Sequence, residues 1–222
     1  MMAMAPGCYQ IQNVQVDVVA VFTNTVPTGP YRGAGRPESV QNIERLVDMA
    51  ATDLGLDCLE IRRKNFIRPE QFPYRTGLNV EYDSGDYEKS LDEALRLSDY
   101  KGVVRYREEA RKRGELVGIG VSTFVEPSGG AGFESGTVRV ERSGVFTLLT
   151  GSSAHGQGHE TVFAQVAAQK LGVSMDEVAV RHGDTLAVQQ GVGTFGSRSV
   201  VMGGGAMTFA LEHVIEKAKS IA

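Results

Sequence analysis

The chain has no tryptophan, only two cysteines and no hydrophobic run long enough to cross a bilayer. Cys8 and Cys58 lie far apart, with no Cys-x-x-Cys step, which excludes a zinc ribbon or an iron–sulfur cluster built from this chain. They read as a reduced, cytoplasmic pair. The most apolar early stretch, Val14 to Phe22, contains Asp17 and is too short for a membrane span. The N-terminus, Met-Met-Ala-Met-Ala-Pro-Gly, lacks the basic and long apolar regions of a signal peptide. Positive charge is also in short supply: 23 Lys and Arg against 27 Asp and Glu give a net charge of −4, no footprint for nucleic acid.

Glycine is what the chain has in excess. There are 27, concentrated between about residues 114 and 205, where they point to backbone approaching a ligand or turning with φ > 0. A length of 222 residues with 41% hydrophobic residues allows one or two domains with a sizeable core.

Periodicity sorts the chain into two parts. Val14 to Thr23 reads as a strand. A loop from Pro27 to Pro37 then enters a helix whose apolar face is Ile43, Leu46, Val47, Ala50, Ala51 and Leu54, ended by Gly55. Asp57, with Glu60 three residues on, has the spacing of a capping box opening a short second helix. Phe66 to Ser84 is irregular. Asp86 opens a third helix, and the charged stretch Lys101 to Arg113 continues as a solvated one. After Gly114 strands dominate: Val117, Ile119, Val121, Thr123 and Val125 alternate with period two, and Thr137–Glu141 and Phe146–Thr150 flank a turn at Arg142-Ser143-Gly144. A helix from about Glu160 to Leu171, a strand from Val178 to His182 and a closing helix from about Ser199 complete the pattern. The closing helix has no C-cap signal, which reads as an interrupted chain. The expectation is an α+β protein of mixed sheets and packed helices, in two parts, residues 1–114 and 115–222.

Three loops have the composition of ligand sites. The first, Pro30 to Glu38, offers two glycines for close backbone approach and Arg32 and Arg36 for anionic oxygens, or else is a tight strand-to-helix connection. The second, Gly151 to Thr161, runs through Gly156-Gln157-Gly158 into a helix N-terminus, where free N–H groups and the helix dipole favour an anion. His155, His159 and His182 raise zinc as an alternative, although two glycines break the regular helix that i, i+4 ligands need. The third, Gly191 to Ser199, contains a literal Gly-x-Gly-x-x-Gly, but no room remains for the acidic residue of a dinucleotide fold. Thr194, Ser197 and Ser199 still form a candidate phosphate cradle. Gly203 to Gly205 lower helix propensity by about 1 kcal/mol each, which close packing on a backbone or cofactor would explain. No Gly-x-Ser-x-Gly elbow and no P-loop lysine occur.

Taken together, Pro30-Tyr-Arg-Gly-Ala-Gly-Arg-Pro-Glu38, His155-Gly-Gln-Gly-His-Glu-Thr161 and Gly193-Thr-Phe-Gly-Ser-Arg-Ser199 resemble, in order and spacing, the cofactor loops of the molybdenum hydroxylases: xanthine dehydrogenases, aldehyde oxidoreductases and the large chain of aerobic carbon monoxide dehydrogenase. The resemblance covers nearly the whole chain. It implies a central fragment of the molybdopterin-binding subunit, with residues 1–114 ending a first molybdopterin-binding domain and 115–222 beginning a second. The implied cofactor is molybdenum held by molybdopterin in its cytosine dinucleotide form, with no iron–sulfur cluster or FAD in this chain. Cofactor contacts fall on Tyr31, Arg32, Gly33, Gly156, Gln157, Gly158, Thr161, Thr194, Phe195, Gly196, Ser197, Arg198 and Ser199, Ala34 lines the substrate pocket, and no residue ligates the metal directly. The implied reaction is hydroxylation of an aldehyde or N-heterocycle with oxygen from water.

Gly33 stands where the carbon monoxide enzymes carry a copper-binding cysteine, and Ala34 where xanthine dehydrogenases carry an aromatic. The family's late Gly-x-Gly-Glu base is absent, so the catalytic residue is unknown, and Glu212 and Glu216 on an ordinary helix do not replace it. Implied partners are iron–sulfur and FAD subunits, the missing segments of the same subunit, a second copy in a homodimer and a small-molecule substrate. A truncated or split fragment that folds or binds without turnover is the alternative.

Overall fold

The computed structural model describes residues 2–129 and 132–222 and divides into two compact units, Met1–Glu126 and Pro127–Ala222. Met1, at the head of the N-terminal stretch, and Gly130, within the glycine-rich span, lie outside the described residues.

In the first unit, helix α1 (Arg36–Leu54) has a proline in its first turn and ends at Gly55, whose left-handed φ of 65° lets its N–H reach the carbonyls of Ala51 and Thr52. Asp57 caps α2 (Cys58–Asn65), accepting the N–H groups of Leu59 at 2.8 Å and Glu60 at 3.2 Å. Glu60 does not close the reciprocal bond of a capping box; its carboxylate pairs with Lys64 at 2.6 Å. A two-residue antiparallel ladder joins β1 (Tyr74–Arg75) to β2 (Glu81–Tyr82). Asp86 caps α3 (Tyr87–Leu97). The charged stretch does not continue α3: Asp99, left-handed at φ 43°, interrupts it and caps a separate α4 (Tyr100–Lys112).

Both segments expected as strands in this unit lack ladder bonds among the described residues. Val18, Val19, Val21 and Phe22 are exposed. From 117 to 125 burial alternates with period two as expected, but the backbone bonds to side chains instead of a neighbouring strand. Arg62, fully buried, donates to the Val121 carbonyl at 2.9 Å and to Glu44 at 3.0 Å, while the Thr123 N–H donates to Glu44 at 2.9 Å. Tyr9 donates its hydroxyl to the same carboxylate, and Arg62 also holds Asp48 at 2.9 Å. This buried network fastens residues 121–123 to α1 and α2. The first unit therefore extends to Glu126, whereas the change of sequence pattern lies at Gly114.

The second unit is a three-stranded sheet, β3 (Gly136–Val140), β4 (Phe146–Thr150) and β5 (Val178–Arg181), in that order. β3 and β4 are antiparallel with Gly136 opposite Thr150; β4 and β5 are parallel, linked by the crossover helix α5 (His159–Leu171). A π-helical turn, Ser199–Gly204, leads into α6 (Gly205–Ile221). Leu148, Phe163, Ala167, Met207 and Leu211 form the core between sheet and helices. Of the three glycines around the start of α6, Gly203 has a packing reason, since a β-carbon on it would lie 2.6 Å from Ser152 Oγ; Gly204 would meet only ordinary contacts and Gly205 nothing within 4 Å. The observed fold is α+β, helices with small mixed sheets.

Candidate cofactor-binding loops

Strand direction gathers three segments of the second unit at one end of its sheet. β4 and β5 run parallel, so the loops that follow them leave on the same side; β3 is antiparallel, so the residues preceding it start there. The three are Phe133–Ser135, Gly151–Gly158 and the run from His182 to Ser199.

Gly151 and Gly191 bring two of these loops backbone to backbone, since a β-carbon on either would lie 2.6 Å from the α-carbon of the other. Ser152 is buried and donates its hydroxyl to Glu134 at 3.1 Å. Ser153 Oγ lies 3.1 Å from His182 Nδ1, and His182 Nε2 lies 2.6 Å from Glu160 Oε1 on the first turn of α5. The Glu160 carboxyl is held below the usual range, first by its own backbone N–H at the helix start and then by His182. Buried His159 faces the Ser152 carbonyl at 3.0 Å, while His155 is exposed, so the three histidines have separate surroundings. Among the described residues no group of three His, Cys, Asp or Glu side chains could hold a metal ion.

Gln157 is exposed, and its side-chain oxygen accepts the His155 N–H. Gly156 (φ 105°) and Gly158 (φ 72°), on either side of it, have no heavy atom within 4 Å of where a β-carbon would stand. Gly158 occupies the N-cap of α5 without a side-chain cap, and Thr161 is exposed on the first turn. The loop thus presents open backbone and a carboxamide beside a helix N-terminus.

In the 191–199 loop, Gly193 (φ 106°) and Gly196 (φ 57°) also face open space, and Ser197 is left-handed at φ 56°. Phe195 is exposed, Thr194 half-buried and Ser199 buried, with the Ser199 hydroxyl donating to Thr194 Oγ1 at 3.1 Å. Arg198 differs from the solvent-facing group that a cradle suggests. Its guanidinium is fully buried, bonded to Glu134 at 3.1 Å, the Gly193 carbonyl at 2.6 Å and the Phe133 carbonyl at 2.6 Å, with its Cζ 5.3 Å from the Phe195 ring centre. Arg198 therefore shapes the loop from within, because its charge is already matched by a carboxylate as buried as itself.

The 30–38 loop belongs to the first unit. Gly33 (φ 99°), Ala34 (φ 47°) and Gly35 (φ 87°) are consecutive left-handed residues, and a β-carbon on Gly33 would lie 2.7 Å from Pro37 Cδ. Arg36 serves the loop itself, bonding the Gly33 carbonyl at 3.3 Å and Glu126 at 3.2 Å. Tyr31, Arg32 and Ala34 are exposed, and among the described residues Arg32 has no ion-pair partner.

Sequence reasoning missed Glu134 and the Ser153–His182–Glu160 chain. Nothing in Gly-Phe-Glu-Ser-Gly marks Glu134 out, since its role depends on loops far along the chain.

The profile described as "Molybdopterin cofactor-binding domain" matches residues 93–222, and a second profile of the same description matches residues 1–66. The gamma subunit of the 6-hydroxypseudooxynicotine dehydrogenase complex of Paenarthrobacter nicotinovorans is 38% identical over 97% of this chain and 28% of its own length. The carbon monoxide dehydrogenase large chain of Hydrogenophaga pseudoflava is 40% identical over 97% of this chain and 29% of its own. The crystal structure of quinoline 2-oxidoreductase from Pseudomonas putida 86 superposes with a TM-score of 0.91 at 35% identity, covering 99% of this chain and 29% of that one. The chain thus spans under a third of the length of these relatives. With a family profile matching more than half of its residues, the chain belongs to the molybdopterin cofactor-binding domain family of the molybdenum hydroxylases.

Proposed function

We propose that this chain is a molybdopterin-binding segment of a molybdenum hydroxylase catalytic subunit, with residues 1–114 ending one cofactor-binding domain and residues 115–222 beginning the next. The observation that carries the reading is the pair of loops at one end of the second unit's sheet. Gly156, Gly158, Gly193 and Gly196 leave backbone open where a side chain would otherwise stand, and one loop enters the N-terminus of α5. The donors there are amides, hydroxyls and a carboxamide, which suit a pterin bearing phosphates.

Gly156, Gln157, Gly158 and Thr161 would hold the cofactor from one loop, and Thr194, Phe195, Gly196, Ser197 and Ser199 from the other, with Arg198 supporting from within. In the first unit, considered by itself, Tyr31, Arg32 and Gly33 are assigned cofactor contacts, and Ala34 a place in a substrate pocket, on their match to the family loop. The bound cofactor supplies two-electron redox chemistry that inserts water-derived oxygen into an aldehyde or an N-heterocycle. Gly33 bears on that choice: its conformation and the nearby Pro37 leave no room for a cysteine side chain. The cytosine dinucleotide form of the pterin, iron–sulfur and FAD partner chains and a cytoplasmic location belong to the same proposal. No helix among the described residues is long and apolar enough to cross a membrane.

The test is molybdenum and pterin per chain, in protein purified anaerobically with any accompanying chains from a host that makes the cofactor. Near-stoichiometric molybdenum in the wild type, cut severalfold by Gln157→Ala, is expected. A wild-type protein free of both would refute cofactor binding and favour a fragment that folds without catalysis.

A further inference from the structure

We propose that Glu134 is a positioning residue that sets the spacing of the two glycine loops for the cofactor; this rests on the reading above. The Glu134 side chain is fully buried, as is its partner Arg198. Its Oε1 accepts the Ser135 N–H at 3.0 Å. Its Oε2 accepts three donors: Ser152 Oγ, the Gly193 N–H and Arg198 Nη1, each at 3.1 Å. One carboxylate thus holds the start of the 151–158 loop, the Gly193 peptide and the residue that opens the π-helical turn.

Three observations separate this role from plain core stability. First, a buried ion pair is weak evidence for stability, because a well-packed apolar pair often does as well; what an apolar pair cannot do is accept an amide and a hydroxyl from two different loops. Second, Arg198 takes the Gly193 carbonyl at 2.6 Å while Glu134 takes the Gly193 N–H. Both polar groups of that residue are thereby committed inward, and residues 195–197 beyond it are left exposed. Third, among the described residues Arg198 Nε is buried without a hydrogen-bond partner. A native fold rarely tolerates such an orphan, and here the guanidinium is oriented by the loop contacts, with Nε left unserved. The facing glycines Gly151 and Gly191 complete the junction, because Glu134 Oε1 occupies the space a β-carbon on either would need.

The experiment combines hydrogen exchange by mass spectrometry with molybdenum and pterin content, on protein prepared from a cofactor-making host with its accompanying chains. Glu134→Gln keeps the shape and removes the charge. Exchange in both 151–158 and 191–199 is expected to quicken by about tenfold or more, as loss of a charged acceptor implies, with cofactor per folded chain falling in step. Glu134→Asp, which keeps the charge, is expected to recover part of the cofactor. Ser152→Ala is a milder variant that removes only one tie. It should loosen 151–158 and leave 191–199 unchanged, and it carries the test if Glu134→Gln does not fold. Unchanged loop exchange and cofactor content in the variants would overturn the proposal, as would exchange rising equally through β3, β4 and α5. Wild-type protein without pterin overturns the cofactor reading itself, a result visible before any variant is made.

Discussion

Replacing Gly151 by alanine tests whether the junction of the two loops matters for ligand binding. The added β-carbon would lie 2.6 Å from the Gly191 α-carbon and closer still to Glu134 Oε1. An ordinary carbon–carbon contact needs about 3.5–4.0 Å, so the 191–199 loop must retreat by about 1 Å or β4 must bend. Overpacking of this kind costs about 1–3 kcal/mol, and a domain of about 100 residues loses about 4–8 °C of Tm per kcal/mol. Gly144 supplies the control. It sits in the turn between β3 and β4, left-handed at φ 91°, with no heavy atom within 4 Å of a β-carbon position. Gly144→Ala therefore pays only the left-handed backbone cost, about 1–2 kcal/mol. Thermal unfolding followed by circular dichroism, with molybdenum measured on the same samples, should show both variants destabilised but only Gly151→Ala depleted of cofactor. Gly151→Ala loaded like wild type would refute the reasoning, as would equal depletion in both.

Two further outcomes concern the first unit. Arg62→Met leaves Glu44 buried without its cation and should cost about 3–5 kcal/mol in urea unfolding; a loss below 1 kcal/mol would show that Tyr9 and Thr123 suffice to hold the carboxylate. Burial, then the charge of Glu44, pushes the Cys8 thiol up from 9.0 to about 12, and Tyr9, Tyr82 and Tyr87 are raised by burial as well. The unfolded chain then releases the Cys8 proton first on the alkaline side, so this contribution to stability is intact below pH 9 and is lost between about pH 9 and 12. Cys8→Ala should flatten part of that fall in pH-dependent denaturant titrations, and an unchanged slope would remove Cys8 from the account.

How much of this was legible in the sequence depends on how local each signal is. Asp57, Asp86, Gly55 and Gly172 act on their own helix ends, and the helices begin or stop where those residues stand. The hairpin around Gly144 and the strand after α5 were equally readable from alternation and turn residues. Val117 to Val125 show the limit. Alternation identified which side chains turn inward, but Arg62 and Glu44, distant in sequence, decided what the backbone bonds to. Arg198 shows the same limit at the site, since its composition context suggests an anion contact while its buried partner Glu134 lies in another segment. The glycine loops were legible because their chemistry is written in consecutive residues.

The register of the β3–β4 hairpin has a consequence for folding fidelity. Gly136 sits opposite Thr150, and Glu134 lies just before that pair while Ser152 lies just after it. A slip of one residue would shift the segment that carries Glu134 along β4, taking the carboxylate away from Ser152 and Arg198. The same carboxylate that ties the loops therefore penalises a misaligned hairpin, so one set of bonds serves both the loop junction and the register of the sheet.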